Sequence, residues 1–155
     1  MPRGPSGNAS GRTICEAVAG GPVQLHVLAQ AVTDDVPSSV RETLEGPRFI
    51  ERVTFLAAHG EVMMDNLTYI ALAGLDAALR RDLEAGTIPI GHLLAPLWIR
   101  RAALASAQDL LARLWQQVGL PDSDASRVYK IETAQRPLMV IAETYRQGML
   151  LSRAA

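Results

Sequence analysis

FIERVTFLAAHGEVMMDNLTYIA, residues 49–71, is the stretch whose reading decides the fold. Phe49–Ala58 and Glu61–Ala71 are runs rich in β-branched and aromatic side chains, separated only by His59-Gly60. A two-residue connection that contains glycine, set between such runs, predicts an antiparallel hairpin. Upstream, Val23–Val32 (VQLHVLAQAV) reads as another strand, with Val23, Leu25, Val27 and Ala29 on one face. A short helical segment, Thr13–Val18, precedes it and stops at Gly20-Gly21-Pro22. A helical turn is expected near Val40–Leu44.

Downstream, Leu75–Leu83 spaces its apolar residues 75, 78, 79 and 83 as a helix does, and Gly86 supplies a stop. Pro89-Ile90-Gly91 opens a short apolar segment, His92–Leu97. Ala102–Val118 carries the strongest helical stripe, Leu104, Ala107, Leu111, Leu114 and Val118, and Gly119 and Pro121 end it. Ser126–Thr133 and Pro137–Gln147 form a second hairpin around Ala134–Arg136. This order implies an α+β fold: a single antiparallel β-sheet with helices on one face, enclosing a small ligand cavity where they meet. Residues 1–12, rich in Gly, Pro and Ser, read as a flexible tail, and 13–155 as one domain.

Composition narrows the function classes. A chain of 155 residues, 48% hydrophobic and 20% charged, can enclose a core and is not disordered. Its 15 basic residues meet 16 acidic ones, so no basic excess exists to neutralise phosphates and no nucleic-acid partner is expected. The single cysteine, Cys15, excludes an internal disulfide and a Cys-based zinc site. No run approaches the roughly 18 apolar residues of a membrane span, and the start lacks the apolar stretch of a signal peptide. A cytoplasmic location away from membranes follows as the expectation. His26, His59 and His92 lie on separate elements without metal-ligand spacing, and no phosphate-loop, dinucleotide or HExxH motif occurs. Neither metal nor cofactor is expected, and the protein is expected to be a monomer or a homodimer.

Two charges stand out because their neighbours are apolar. On the last strand, Met139, Ile141, Glu143 and Tyr145 share one face, and Leu138, Val140, Ala142 and Thr144 the other. Neither face looks wet, so the strand is expected to be central and Glu143 buried. A buried carboxylate without a partner is driven toward the pKa range of an acid/base catalyst. A structural ion pair or a frayed strand end would equally account for it. Arg52 shares its face with Ile50, Thr54 and Leu56. A guanidinium in a cavity suits two-pronged binding of a carboxylate; an edge residue reaching for solvent, or a salt bridge to Glu143, would fit the same pattern. Asp65-Asn66 interrupts an apolar strand, as a bulge or a cavity-facing polar pair does.

Three blocks in order, FIERVTFLAAHGEVMMDNLTYI, IPIGHLL and SRVYKIETAQRPLMVIAETY, resemble the chorismate lyase family, in its divergent bacterial branch, over about Arg12 to Leu150. The resemblance implies a lyase that splits chorismate into 4-hydroxybenzoate and pyruvate without a cofactor. It implies that Arg52 binds the ring carboxylate, that the backbone of Ile90 also holds it, and that Glu143 contacts the phenolic end and directs the proton. Arg12 or Thr13 stands at a ligand-lining position that is apolar in one enzyme of the family. A second arginine of some members aligns with Leu67, and a helix preceding the first matched segment is missing. With fewer cations than a dicarboxylate would meet, two alternatives stand beside the lyase. One is a same-fold enzyme acting on another small carboxylate or polyketide-like substrate. The other is a non-catalytic small-ligand sensor domain.

Overall fold

The computed structural model describes residues 11–75, 77–85, 99–104, 107–119, 125–146 and 149. In chain order the elements are α1 (Gly11–Ala19), β1 (Gln24–Thr33), α2 (Ser38–Thr43), β2 (Phe49–Ala58) and β3 (Glu61–Ala71). A 3₁₀ turn (Leu72–Gly74) leads to α3 (Ala77–Ala85), β4 (Arg100–Ala103), α4 (Gln108–Val118), β5 (Ser126–Glu132) and β6 (Pro137–Tyr145). The strands form one six-stranded sheet in the order β1-β2-β3-β6-β5-β4, antiparallel throughout. The fold is therefore α+β, as the sequence implies.

The opening hairpin has the expected limits. His59 and Gly60 both take positive φ, 55° and 78°, the backbone that a two-residue hairpin turn with the sheet's own twist requires. The His59 ring nitrogen Nε2 lies 3.0 Å from the carbonyl of Ala19 and ties this turn to the end of α1. The second hairpin places β6 between β3 and β5, so the strand is central, as its two apolar faces predict.

One face of the sheet packs on α2 and α4. Phe49, Val53, Leu67, Tyr69, Val140 and Ala142 meet Val40 and Leu44 from α2, and Leu110, Leu111 and Leu114 from α4. Gly119 ends α4 with φ 76° and donates its N–H to the Trp115 carbonyl at 2.7 Å.

Four expectations need correction. The helix read over Ala102–Val118 begins only at Gln108, because Ala102 and Ala103 belong to β4 and pair with Lys130 and Tyr129. Alanine is the best helix former, but intrinsic propensity amounts to less than about 1 kcal/mol per residue, and the unpaired edge of β5 outweighs it. The first helix starts at Gly11, which takes Arg12 out of the tail. The third spans Ala77–Ala85, with Leu75 in the connection before it. Finally, helices do not cover one face alone: α1 and α3 pack against the face opposite α2 and α4, through Cys15 and Leu79 respectively. The tail up to residue 10, Ile90 and the segment His92–Leu97 lie outside the described residues.

Asp109, in the first turn of α4, fastens α2 to it. Oδ2 accepts the Ser39 backbone N–H at 3.0 Å and Oδ1 accepts the Ser39 hydroxyl at 2.6 Å. Partial burial opposes the charge, yet these donors outweigh it and hold the Asp109 pKa below its ordinary value. A carboxyl depressed in the folded state stabilises above its unfolded pKa, and that contribution fades as pH falls through the folded value. Asp109→Asn is expected to cost about 1–2 kcal/mol at neutral pH. It should also flatten the loss of stability below about pH 4. Chemical denaturation at pH 7 and pH 3 checks both.

Candidate functional site

Residues directly opposite one another in antiparallel strands share a face, so register locates the candidate residues. Arg52 pairs with Thr68, Thr68 with Ile141, and Ile141 with Tyr129. In the next row, Thr54 pairs with Asn66, Asn66 with Glu143, and Glu143 with Arg127. Two rows across four strands thus make a polar band on the face opposite α2 and α4. Apolar clusters flank the band at both ends. Ile50, Ile70, Ile131 and Met139 pack under Leu79 of α3 at one end, and Leu56 and Met64 pack under Cys15 of α1 at the other.

Both charges chosen from the sequence lie inside this band and are 1% exposed. They are separated by one strand and one row, roughly 12 Å between Cα atoms at ordinary strand spacings. Glu143 is partnered, so of the alternatives its apolar neighbours left open, the structural ion pair is the one present. Its Oε2 accepts Arg127 Nε at 2.7 Å, and its Oε1 accepts the Tyr129 hydroxyl at 2.6 Å. The Arg127 guanidinium also lies over the Tyr129 ring, 4.8 Å from its centroid.

Burial works against the Arg127 cation, but the charge and hydrogen bond of Glu143 outweigh it and leave its pKa above the ordinary value. Burial, then the Glu143 charge and hydrogen bond, push the Tyr129 phenol well up, so it remains a donor at any physiological pH. Burial alone pulls the Arg52 pKa down; guanidinium nonetheless stays protonated in proteins. Burial and the same Glu143 charge push the Cys15 thiol up to about 12, which puts α1 within electrostatic reach of the band and makes Cys15 an inert filler. Tyr129→Phe is expected to lower stability by about 1–3 kcal/mol, because a buried acceptor loses its donor. A thermal melt checks this, and an unchanged midpoint would mean that Tyr129 does not hold Glu143.

The remaining candidates are placed as follows. Arg12 is half-buried on α1, with Nε 3.7 Å from Glu16. Thr13 is exposed on the same helix. Leu67 is fully buried on the α4 face, opposite Val53 and Ala142, so it does not stand where a ligand-facing arginine would. On β3 the band is lined by Asn66 and Thr68, whose hydroxyl donates to Asn66 Oδ1 at 2.6 Å. Asp65 faces the other way and takes Arg146 Nε at 2.5 Å, so Asp65-Asn66 is split between faces; the bulge falls at Leu56/Ala57 instead. A surface cavity of about 290 Å³ is lined by Gly46, Pro47, Arg48, Leu72, Ala73 and Arg80, and by neither Arg52 nor Glu143. Among the described residues no three His, Cys, Asp or Glu side chains converge as metal ligands, and no helix is long and apolar enough to cross a membrane.

No family model matches the sequence, and no curated protein matches it either. Solved structures do. A candidate transcriptional regulator, YydK, of Bacillus subtilis aligns over 96% of this chain and 66% of its own, at 11% identity and a TM-score of 0.55. A gene product of Staphylococcus aureus aligns over 83% and 86%, at 13% identity and a TM-score of 0.50. The ligand-binding domain of a candidate GntR-family regulator from Bordetella bronchiseptica aligns over 81% and 86%, at 12% identity and a TM-score of 0.49. At such identities the likeness shows the fold.

Proposed function

We propose that this domain binds a small anionic molecule, a carboxylate, in the polar band between Arg52 and Glu143, and that it binds without converting it. The observation that carries the reading is the double engagement of Glu143 by Arg127 and Tyr129 within its own sheet. A carboxylate held by two donors is a fixed acceptor, good at orienting a ligand hydroxyl through its remaining lone pairs. It is poorly placed to exchange a proton in a reaction. Arg52 supplies the complementary feature, a buried fork suited to a carboxylate. The name of the Bacillus subtilis neighbour, a candidate transcriptional regulator, supports ligand sensing as the use of such binding.

Cleavage of chorismate to 4-hydroxybenzoate and pyruvate is the second reading. One observation favours it: the two residues that the family resemblance selects, Arg52 and Glu143, do share one face.

A single set of experiments separates the two. The protein is titrated with chorismate, 4-hydroxybenzoate and a panel of other small carboxylates, and the mixtures are assayed for pyruvate. A ligand at 100 times its Kd adds about 2.7 kcal/mol of stability, or roughly 5–10 °C in midpoint for a chain of this size. Stabilisation without pyruvate is the expected result. Pyruvate released from chorismate would establish the lyase instead, and no stabilisation by any carboxylate would remove the anion reading.

A further inference from the structure

A guanidinium outside the polar band keeps a buried donor unanswered. Arg101, on β4, pairs in register with Ile131, and Ile131 with Met139. Residues opposite one another share a face, so Arg101 stands on the face of Arg52 and Glu143, in the row of Ile50, Ile70 and Met139. It is half-buried, and its Nε is buried with no hydrogen-bond partner among the described residues. The neighbouring strands have no acceptor side chain to spare for it. β5 and β6 carry one carboxylate each. Glu132 is taken by Arg100 and Lys130, and Glu143 by Arg127 and Tyr129. A buried donor left unpaired is expensive, and native structures keep few of them without a water, an ion or a ligand in reach.

Guarding the sheet edge does not account for Arg101. A charge that only blunts an edge belongs in water, as Arg100 does on the opposite face with its side chain 65% exposed. Arg101 acts on the interior instead. Burial and the Glu143 charge push the Tyr129 phenol up, and the Arg101 charge pulls against them. That phenol is the group that holds Glu143 Oε1.

We propose that Arg101 is a second anchor of the carboxylate site, receiving a second anionic group of the molecule whose first is held by Arg52. This rests on the reading of the band as a carboxylate site. The ligand is then a dianion, two acidic groups on an apolar body. Arg52 on β2 and Arg101 on β4 are four strand spacings apart, about 19 Å across the sheet. Between them on β3 and β6 lie Thr68, Ile70, Met139 and Ile141. Acidic ends and an apolar middle suit that layout, and two separated forks select for the spacing of the acids. Leu67 leaves β3 without a ligand-facing cation, and Arg101 supplies one from the far side of the sheet.

Titration of the full chain with dicarboxylates of graded length, from succinate to sebacate together with terephthalate, each beside its monomethyl ester, tests this. In the wild type the best dicarboxylate is expected to bind about 10–100-fold tighter than its ester, as one added charged hydrogen bond provides. Arg101→Gln should bring the two together by weakening the diacid and leaving the ester as it was. Arg101→Lys should keep part of the difference, and Arg100→Gln, on the other face, all of it. A merely structural role for Arg101 would weaken both compounds alike, so the ratio isolates the contact. If Arg101→Gln unfolds, a fall in the ratio with Arg101→Lys carries the same test. A wild type that binds diacid and ester equally, or a preference that survives Arg101→Gln, would overturn the role of Arg101 and leave the carboxylate site standing. A wild type that binds no compound of either series would overturn both.

Discussion

Arg52→Leu is expected to weaken binding of the best carboxylate in the panel by roughly 100-fold or more, because each hydrogen bond to a charged group contributes about 1.5–3 kcal/mol and a fork makes two. The guanidinium sits 1% exposed in the middle of a sheet face, where water cannot replace it. Arg52→Lys keeps the charge and loses the fork, so it should fall between, at about 10-fold. Titration calorimetry reads both, with circular dichroism to show that each variant is folded. A folded Arg52→Leu that binds as the wild type does would remove Arg52 from the site.

Glu143→Ala is expected to cost about 3–5 kcal/mol of stability, since it removes the carboxylate that the half-buried Arg127 pairs with and leaves the buried Tyr129 phenol without its acceptor. Against a typical total of about 5–15 kcal/mol this is a severe loss, read as a fall of roughly 10 °C in the melting midpoint. The Arg127 pKa, held above its ordinary value by Glu143, points the same way. Glu143→Gln keeps an oxygen for Tyr129 but turns an amide toward Arg127, so its loss should be smaller. Replacing Glu143 and Arg127 together by leucine should restore part of what Glu143→Ala removes, as apolar substitutes for buried ion pairs often do. If the double variant is as unstable as the two losses added, the pair is not coupled.

The two hairpins were legible because their signals are local. Alternation gave the faces of β2 and β6, and a glycine-containing turn gave the first connection. The apolar neighbours of Arg52 and Glu143 singled both out, but left burial beside an edge residue reaching for solvent and a frayed strand end; the structure buries both. The partners of Glu143 were not legible, and the reason is one residue. A regular ladder continued from Glu132 opposite Pro137 would set Arg127 opposite Ala142, on the wrong face. The irregularity between Ile131 and Glu132 shifts that pairing by one and brings Arg127 opposite Glu143. Nothing in SRVYKIE announces the shift. β4 was hidden for a different reason: Arg100–Ala103 has no alternation of its own and becomes a strand because β5 offers it an edge. The position of Leu67 follows from alternation, since its neighbours Asn66 and Thr68 necessarily face the other way.

The sheet order also bears on how the protein comes into being. β1, β2 and β3 neighbour one another in sequence and in space, while β4, β5 and β6 form a second group that joins the first only along β3 and β6. Arg52 belongs to the first group and Glu143, Arg127 and Tyr129 to the second. β6 leaves the ribosome after every strand it pairs with, so a nascent chain completes its polar band only at the final docking. Long-range closure of this kind is the slow part of assembly. A molecule bound across that join would act as a clasp between the halves, slowing their separation more than it hastens their meeting.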